Sequence, residues 1–257
     1  MATVETRSLT KRYDSTTAVD AIDLAVREHE FLVLLGPSGS GKTTLLRLAN
    51  RLIEPDGGSI RIAGEDISCL EPVALRRRIG TVFQNGALFP HMTVAANIGI
   101  TPRLLGTAPK AVAARVDELL DLVQLDRAAH RDRLPDALSG GQRQRVGVAR
   151  ALAAGPRIVL MDEPFGALDP LTRDTLGSDY RALHAQLGLT TVMITHDITE
   201  ALLLADRIAV MRSGHLVEAG TPAALAASRE PYVAELMTTP RRQAARLAAL
   251  LPESGAA

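Results

Sequence analysis

The feature that most constrains this chain is the run Gly36, Pro37, Ser38, Gly39, Ser40, Gly41, Lys42 and Thr43, set between two contrasting neighbours. Before it lies the short apolar stretch Phe31-Leu-Val-Leu-Leu35. After it, over residues 42–52, apolar residues recur at helical spacing. Strand, glycine-rich loop and helix in that order match G-x-x-x-x-G-K-[ST] in the context the pattern requires. Glycines let the backbone curl so that its N–H groups converge on phosphate oxygens. The start of the helix adds unpaired N–H groups and a positive dipole end. Lys42 would set its ammonium on the β- and γ-phosphates of a nucleotide, and Thr43 would offer its hydroxyl to Mg2+. A turn that merely joins strand to helix is the alternative, and the fit of both flanks argues against it.

The rest of the chain repeats the alternation. Residues 31–35, 79–83, 158–161, 191–195 and 208–211 read as strands. Residues 42–52, 111–123, 142–153, 172–187 and 198–205 read as helices, with apolar positions at three- and four-residue spacing such as Val112, Val116, Leu119, Leu120 and Val123. This predicts an α/β fold with a mainly parallel sheet. The stretch from Asn85 to Ala154 shows no strand and two or three helices, and is expected to be a helical insertion. The strand at 158–161 ends in Asp162-Glu163-Pro164. Ligands of open α/β sheets sit beyond the carboxyl ends of the strands. Asp162 is therefore placed to reach Mg2+ through water, and Glu163 to polarise an attacking water.

Composition narrows the function classes. Lys plus Arg is 29 and Asp plus Glu is 29, so the net charge is zero and the basic excess of a generic nucleic-acid binder is missing. Aromatics make up 3% with no Trp, which argues against a base-stacking platform. A hydrophobic content of 46% argues against a disordered chain. No apolar run approaches the roughly 18 to 20 residues that cross a bilayer, and the Met-Ala-Thr-Val-Glu start lacks the pattern of a signal peptide. A soluble, cytoplasmic protein is expected. The single Cys69 cannot form an internal disulfide or a cysteine zinc cluster and reads as a small apolar filler.

A third motif, Leu138-Ser-Gly-Gly-Gln142 followed by Arg-Gln-Arg-Val-Gly-Val-Ala-Arg150, reads as a small-residue cap opening a helix, hence a second phosphate-binding terminus. With the loop at 36–43 and the Asp162-Glu163 pair it resembles the signature of ATP-binding-cassette ATPases, and the resemblance runs from about Thr6 to Met237. It implies a P-loop NTPase, RecA-like core over about 1–84 and 155–237. To this it adds an antiparallel β subdomain at the N-terminal side, a helical subdomain over about 85–154 and a short tail over 238–257. The tail reads as frayed or loosely docked, with Leu247, Leu250 and Leu251 able to line one face of a short helix.

By the same resemblance Tyr13 stacks on adenine, and Thr44 joins the loop in holding ATP. Gln84 is the Q-loop glutamine, contacting Mg2+ and the membrane partner, and Ala167-Leu168-Asp169 is the D-loop. His196 is the switch histidine facing the γ-phosphate, and Ser139, Gly140, Gly141 and Gln142 contact ATP held by the other chain of a head-to-tail dimer. The family's chemistry is ATP hydrolysis that drives transmembrane permease subunits. Leu88-Phe89-Pro90 either line the permease groove or belong to the core.

Four stretches look like importer cassettes: Asn50-Arg-Leu-Ile-Glu-Pro55, Leu88-Phe-Pro-His-Met-Thr-Val94, Ala96-Asn-Ile98 with Pro102-Arg-Leu-Leu-Gly106, and Glu163-Pro-Phe-Gly-Ala-Leu-Asp-Pro170. They are most similar to cassettes serving osmoprotectants such as glycine betaine, choline and carnitine. That resemblance implies a periplasmic or extracellular solute-binding protein in the complex, and a cassette peripheral on the inner face of the membrane. Importers of amino acids or other solutes share much of this wording, and a soluble ABC protein acting on nucleic acid or ribosomes is the competing class. One cassette and no sustained heptads speak against that class. The roughly twenty residues after Met237 are too few for the paired CBS domains of many osmoprotectant cassettes.

Overall fold

The computed structural model describes residues 2–250. One sheet is antiparallel and comprises β1 (Ala2–Tyr13), β2 (Thr16–Arg27), β4 (Gly57–Ile62) and β5 (Glu65–Asp66), in the order β2-β1-β4-β5. The other comprises β3 (Phe31–Leu35), β6 (Ile79–Val82), β7 (Ile158–Asp162), β8 (Thr190–Thr195), β9 (Arg207–Arg212) and β10 (His215–Gly220), in the order β10-β9-β3-β8-β7-β6. Its pairings are parallel except for the edge hairpin β9–β10. The helices are α1 (Lys42–Ala49), α2 (Pro72–Arg78), α3 (Val94–Leu104), α4 (Pro109–Leu122), α5 (Arg127–His130), α6 (Gly140–Leu152), α7 (Pro170–Leu187), α8 (Ile198–Leu204), α9 (Pro222–Ala226) and α10 (Pro231–Leu250). Helices α3 to α6 follow one another between β6 and β7.

The central strand shows why its sequence is apolar throughout. Phe31, Val33 and Leu35 enter the cluster built by α6, α7 and α8, whereas Leu32 and Leu34 enter the one built by α1 and the antiparallel sheet. A strand covered on both faces has no polar side to show. Each such side chain contributes roughly 1.5–3 kcal/mol by leaving water.

Several boundaries differ from the sequence reading for local reasons. The helix expected over 42–52 ends at Ala49. Arg51 turns left-handed (φ 48°), and the N–H groups of Arg51 and Leu52 return to the carbonyls of Leu48 (3.0 Å) and Arg47 (2.8 Å). This is a Schellman termination supplied without glycine. Phe83 falls outside β6 and is exposed. Cys69 is not an apolar filler; it is exposed on a 3-10 turn, Ile67–Cys69, that its hydrophobic neighbour Ile67 anchors. The tail expected from 238 begins inside α10, which continues to Leu250 with residues 241–250 exposed; Leu251 lies outside the described residues. No helix among the described residues is long and apolar enough to cross a membrane.

Candidate functional site

Four strands that are neighbours in the second sheet end along one edge. There β3 runs into the loop at 36–43, β8 into His196, β7 into Asp162 and Glu163, and β6 into a 3-10 turn, Gln84–Ala87. The registers Leu35↔Thr195, Met161↔Met193 and Val82↔Met161 bring these ends level. Residues scattered over more than a hundred sequence positions thus meet at the carboxyl edge of a parallel sheet, where such folds bind ligands.

The loop is shaped by glycine where no other residue fits. Gly39 and Gly41 have φ of 78° and 100°, and a Cβ on Gly41 would run into the Ala18 carbonyl oxygen. Helix α1 opens with no side-chain cap, and its first backbone bond is from Leu45 N–H to the Gly41 carbonyl (2.9 Å). The N–H groups of Lys42, Thr43 and Thr44 therefore have no acceptor among the described hydrogen bonds. Orphan donors at a helix start form an anion site. The Lys42 ammonium curls back and donates to the carbonyls of Gly36 (2.8 Å) and Pro37 (2.9 Å) and to Ser40 Oγ (3.3 Å). Burial lowers its pKa, against an upward pull from Glu163 and Asp162.

The Thr43 hydroxyl donates to Asp162 Oδ1 (3.3 Å). Burial pushes the Asp162 carboxyl up, the Thr43 bond pulls it down, and adjacent Glu163 raises it again. This hydroxyl–carboxylate pair beside a phosphate cradle suits Mg2+, which takes one or two protein oxygens and completes its shell with phosphate and water. Among the described residues no cluster of three His, Cys, Asp or Glu offers an all-protein cage.

Glu163 sits at φ 45°, a left-handed conformation for a residue that also precedes proline. Both features are sterically disfavoured and are found where surrounding structure enforces them. The enforcement is visible: Glu163 N–H donates to the Ile194 carbonyl (3.1 Å), which ties the turn to β8. The side chain then lies with Oε2 3.3 Å from His196 Nδ1. A carboxylate so placed can accept a proton from water while the imidazole stands opposite.

Gln84 is exposed at the head of its turn. That turn is fastened to α6: Arg150 donates to the carbonyls of Gly86 (2.7 Å) and Ala87 (2.9 Å), and Gly147 lies against Gly86. Leu88 packs on the core while Phe89 is exposed, so the two readings of Leu88-Phe89-Pro90 divide between neighbours. Phe83, Phe89, Leu104 and Arg150 line a groove there.

The remaining expected residues lie elsewhere. Ser139 caps α6, accepting from Gln142 N–H (3.2 Å), while Gln142 Oε1 accepts from Ser139 N–H (2.9 Å). In this capping box the Gln142 side chain serves the helix first. Gly140 and Gly141 face Leu168 and Thr172. Asp169 caps α7 through Thr172 N–H (3.0 Å), and its hydrogen bonds there hold its carboxyl below the ordinary range. Tyr13 is exposed at the end of β1, with Lys11 Nζ 5.6 Å from its ring centre. No described hydrogen bond joins Tyr13, residues 139–142 or Asp169 to the loop at 36–43. The sequence reading named Arg150 only as the end of the signature stretch and missed Arg173, whose only signal is a basic residue near a helix end.

An uncapped helix start behind a glycine loop, beside a carboxylate pair on a parallel sheet, defines a nucleotide-binding α/β protein. Residues 19–166 match the family described as ABC transporter, and the chain belongs to that family. It is 51% identical over 205 residues to the glycine betaine/carnitine/choline transport ATP-binding protein of Bacillus subtilis, covering 80% of this chain and 54% of that one. It is 49% identical over 224 residues to the sulfate/thiosulfate import ATP-binding protein of Bradyrhizobium diazoefficiens, covering 86% of this chain and 64% of that one. The chain thus spans little more than half of one relative and just under two thirds of the other. Its fold is similar, at a TM-score of 0.76 and 32% identity over 85% of this chain and 98% of the other, to an ATP-binding cassette in a dimeric post-hydrolysis state bound to ADP and Pi.

Proposed function

We propose that this chain is the ATP-binding and ATP-hydrolysing subunit of an ABC importer for a small solute, most similar in kind to osmoprotectant importers. The observation that carries the reading is the single strand edge holding the orphan N–H groups of α1, the Thr43–Asp162 pair and the Glu163–His196 pair. On this reading residues 1–237 form the cassette, with a RecA-like core over about 1–84 and 155–237 and a helical subdomain over about 85–154, and 238–257 form the tail.

The loop Gly36, Pro37, Ser38, Gly39, Ser40 and Gly41 wraps the phosphates, with the N–H groups of Lys42, Thr43 and Thr44 aimed at their oxygens. Lys42 exchanges its loop carbonyls for phosphate, and Tyr13 stacks on the base. Thr43, Asp162 and Gln84 hold Mg2+, which neutralises phosphate charge. Glu163 takes the proton of the attacking water, and His196 faces the phosphate that leaves. Ser139, Gly140, Gly141, Gln142 and Asp169 serve a second copy of the chain across an ATP-filled interface. Transmembrane permease subunits dock in the groove beside Phe83 and Phe89, which places the cassette on the cytoplasmic face of the membrane. A solute-binding protein completes the complex.

The 51% identity to a glycine betaine/carnitine/choline transport protein favours a quaternary amine, and the near-equal identity to a sulfate/thiosulfate import protein names the competitor. A ligand screen on the solute-binding protein that copurifies with the complex separates the two: betaine, choline or carnitine supports the reading, and sulfate overturns it. For the chemistry, Glu163→Gln keeps ATP affinity but loses steady-state hydrolysis by at least about a hundredfold, the range of a general base. Hydrolysis at the parent rate would remove Glu163 from the role of base.

A further inference from the structure

The Glu163–His196 pair faces the candidate site, and behind it lies an arginine that no step above uses. Arg173 sits in the first turn of α7, and its side chain folds back over the loop that leads into that helix. One terminal nitrogen donates to the carbonyls of Gly166 (3.4 Å) and Leu168 (3.2 Å). The other donates to Asp197 Oδ2 (3.2 Å). The two segments it joins are the two that carry the facing pair. Gly166 is three residues beyond Glu163 and closes its turn, Gly166 N–H donating to the Glu163 carbonyl (3.3 Å). Asp197 follows His196 directly and caps α8, accepting from Thr199 N–H (2.8 Å) and Glu200 N–H (3.2 Å).

We propose that Arg173 is a positioning residue: it closes the back of a ring whose front is the Glu163–His196 pair, and so fixes the separation of base and switch side chains. The inference rests on the proposed ATPase reading. A planar guanidinium suits the task because its fork serves carbonyls on one side and a carboxylate on the other without changing shape. The clamp is held from below by backbone, since Arg173 N–H donates to the Asp169 carbonyl (2.9 Å). Arg173 Nε is buried with no partner among the described residues, in the cleft between α7 and α8, so the guanidinium is held there by its two terminal nitrogens alone. Glu163 is held in a left-handed conformation that its own sequence does not favour, so its placement depends on ties of this kind.

The test uses the purified chain, with the parent measured alongside. Arg173→Gln should lower kcat about a hundredfold, the loss that a small misplacement of reacting groups brings, with the KM for ATP and the melting temperature unchanged. Asp197→Asn keeps a good cap for α8 and should lose as much, and the double variant should be no worse than either single one. Arg173→Lys keeps the charge but not the fork, and should recover part of the rate. Amide exchange should rise in Arg173→Gln both at 166–169 and at 197–200, whether or not the chain turns over ATP. Parental exchange at either segment overturns the clamp, as do parental kcat, strictly additive losses, or a fall in melting temperature that accounts for the whole effect. A parent that hydrolyses no ATP at all overturns the ATPase reading instead, and leaves the exchange result to decide the clamp.

Discussion

At the scale of single residues, His184 shows how burial writes a pH response into the fold. It is buried on α7, with Nδ1 3.0 Å from Thr191 Oγ1 and Nε2 3.2 Å from the His29 carbonyl. A neutral ring with its proton on Nε2 donates to the carbonyl and accepts from the hydroxyl, so both nitrogens are satisfied. Burial lowers the pKa, and the nearby Arg181 charge lowers it further, against an opposing bond to His29. The folded chain therefore binds fewer protons here than the unfolded one, and stability falls as pH drops through the unfolded value of about 6.5. In urea unfolding from about pH 8 to 5.5, the parent should lose stability on acidification. His184→Gln should start lower and show a shallower slope. Equal slopes would remove His184 as the source.

At the scale of elements, two magnitudes compete at Gly147, in the middle of α6. Helix propensity alone makes Gly→Ala stabilising by roughly 1 kcal/mol. A Cβ there, however, would meet Gly86 Cα at 2.9 Å, on a turn already pinned by Arg150. Gly147→Ala should therefore lower both the melting temperature and the turnover, since overpacking costs typically 1–3 kcal/mol and exceeds the propensity gain. A raised melting temperature with full turnover would show that the turn can yield.

The same scale shows what was legible in the sequence. The strands β3, β6, β7, β8 and β9 were readable as short β-rich runs: β3 is apolar throughout, β7 is apolar up to Asp162, and β8 is buried at all six positions, with threonine at three of them. Strands β1 and β2 left no such trace. Their pairing shifts register between Thr6 and Leu9, near left-handed Ser8 and Ala21, and this breaks the two-residue alternation that marks a half-buried strand. Helix α3 was hidden by Pro102 inside it and by buried Asn97, whose amide donates to the carbonyls of Phe89 (3.1 Å) and Met92 (3.0 Å). A buried asparagine reads as a loop residue until its partners are known.

At the scale of the whole molecule, the parts that resemble a site for one nucleotide do not meet within one chain. The capping box at Ser139 faces the start of α7, and no described hydrogen bond links it to the loop at 36–43. A second copy supplies the missing half on the proposed reading. Glu163→Gln with ATP and Mg2+ should therefore elute at twice the mass of the same variant with ADP. A single species under both conditions would end the dimer proposal. ATP would then shift a population because it binds the closed state better than the open one, the only way a ligand can move an equilibrium.

The sequence by itself determined the chemistry on offer: a loop only glycine can trace, a lysine and a threonine at its end, an acid pair after an apolar strand, and a serine cap opening α6. Each is a local matter of backbone freedom and charge within a few residues. Only the tertiary structure decided which of them work together. Registers between parallel strands put Gly36, Asp162, Glu163 and His196 on one edge, and a guanidinium at Arg173 joined two loops that the sequence keeps 29 to 31 residues apart, from Leu168 and Gly166 to Asp197. The reason is that strand pairing and side-chain reach depend on distance through space, and a single chain's pattern records only distance along itself.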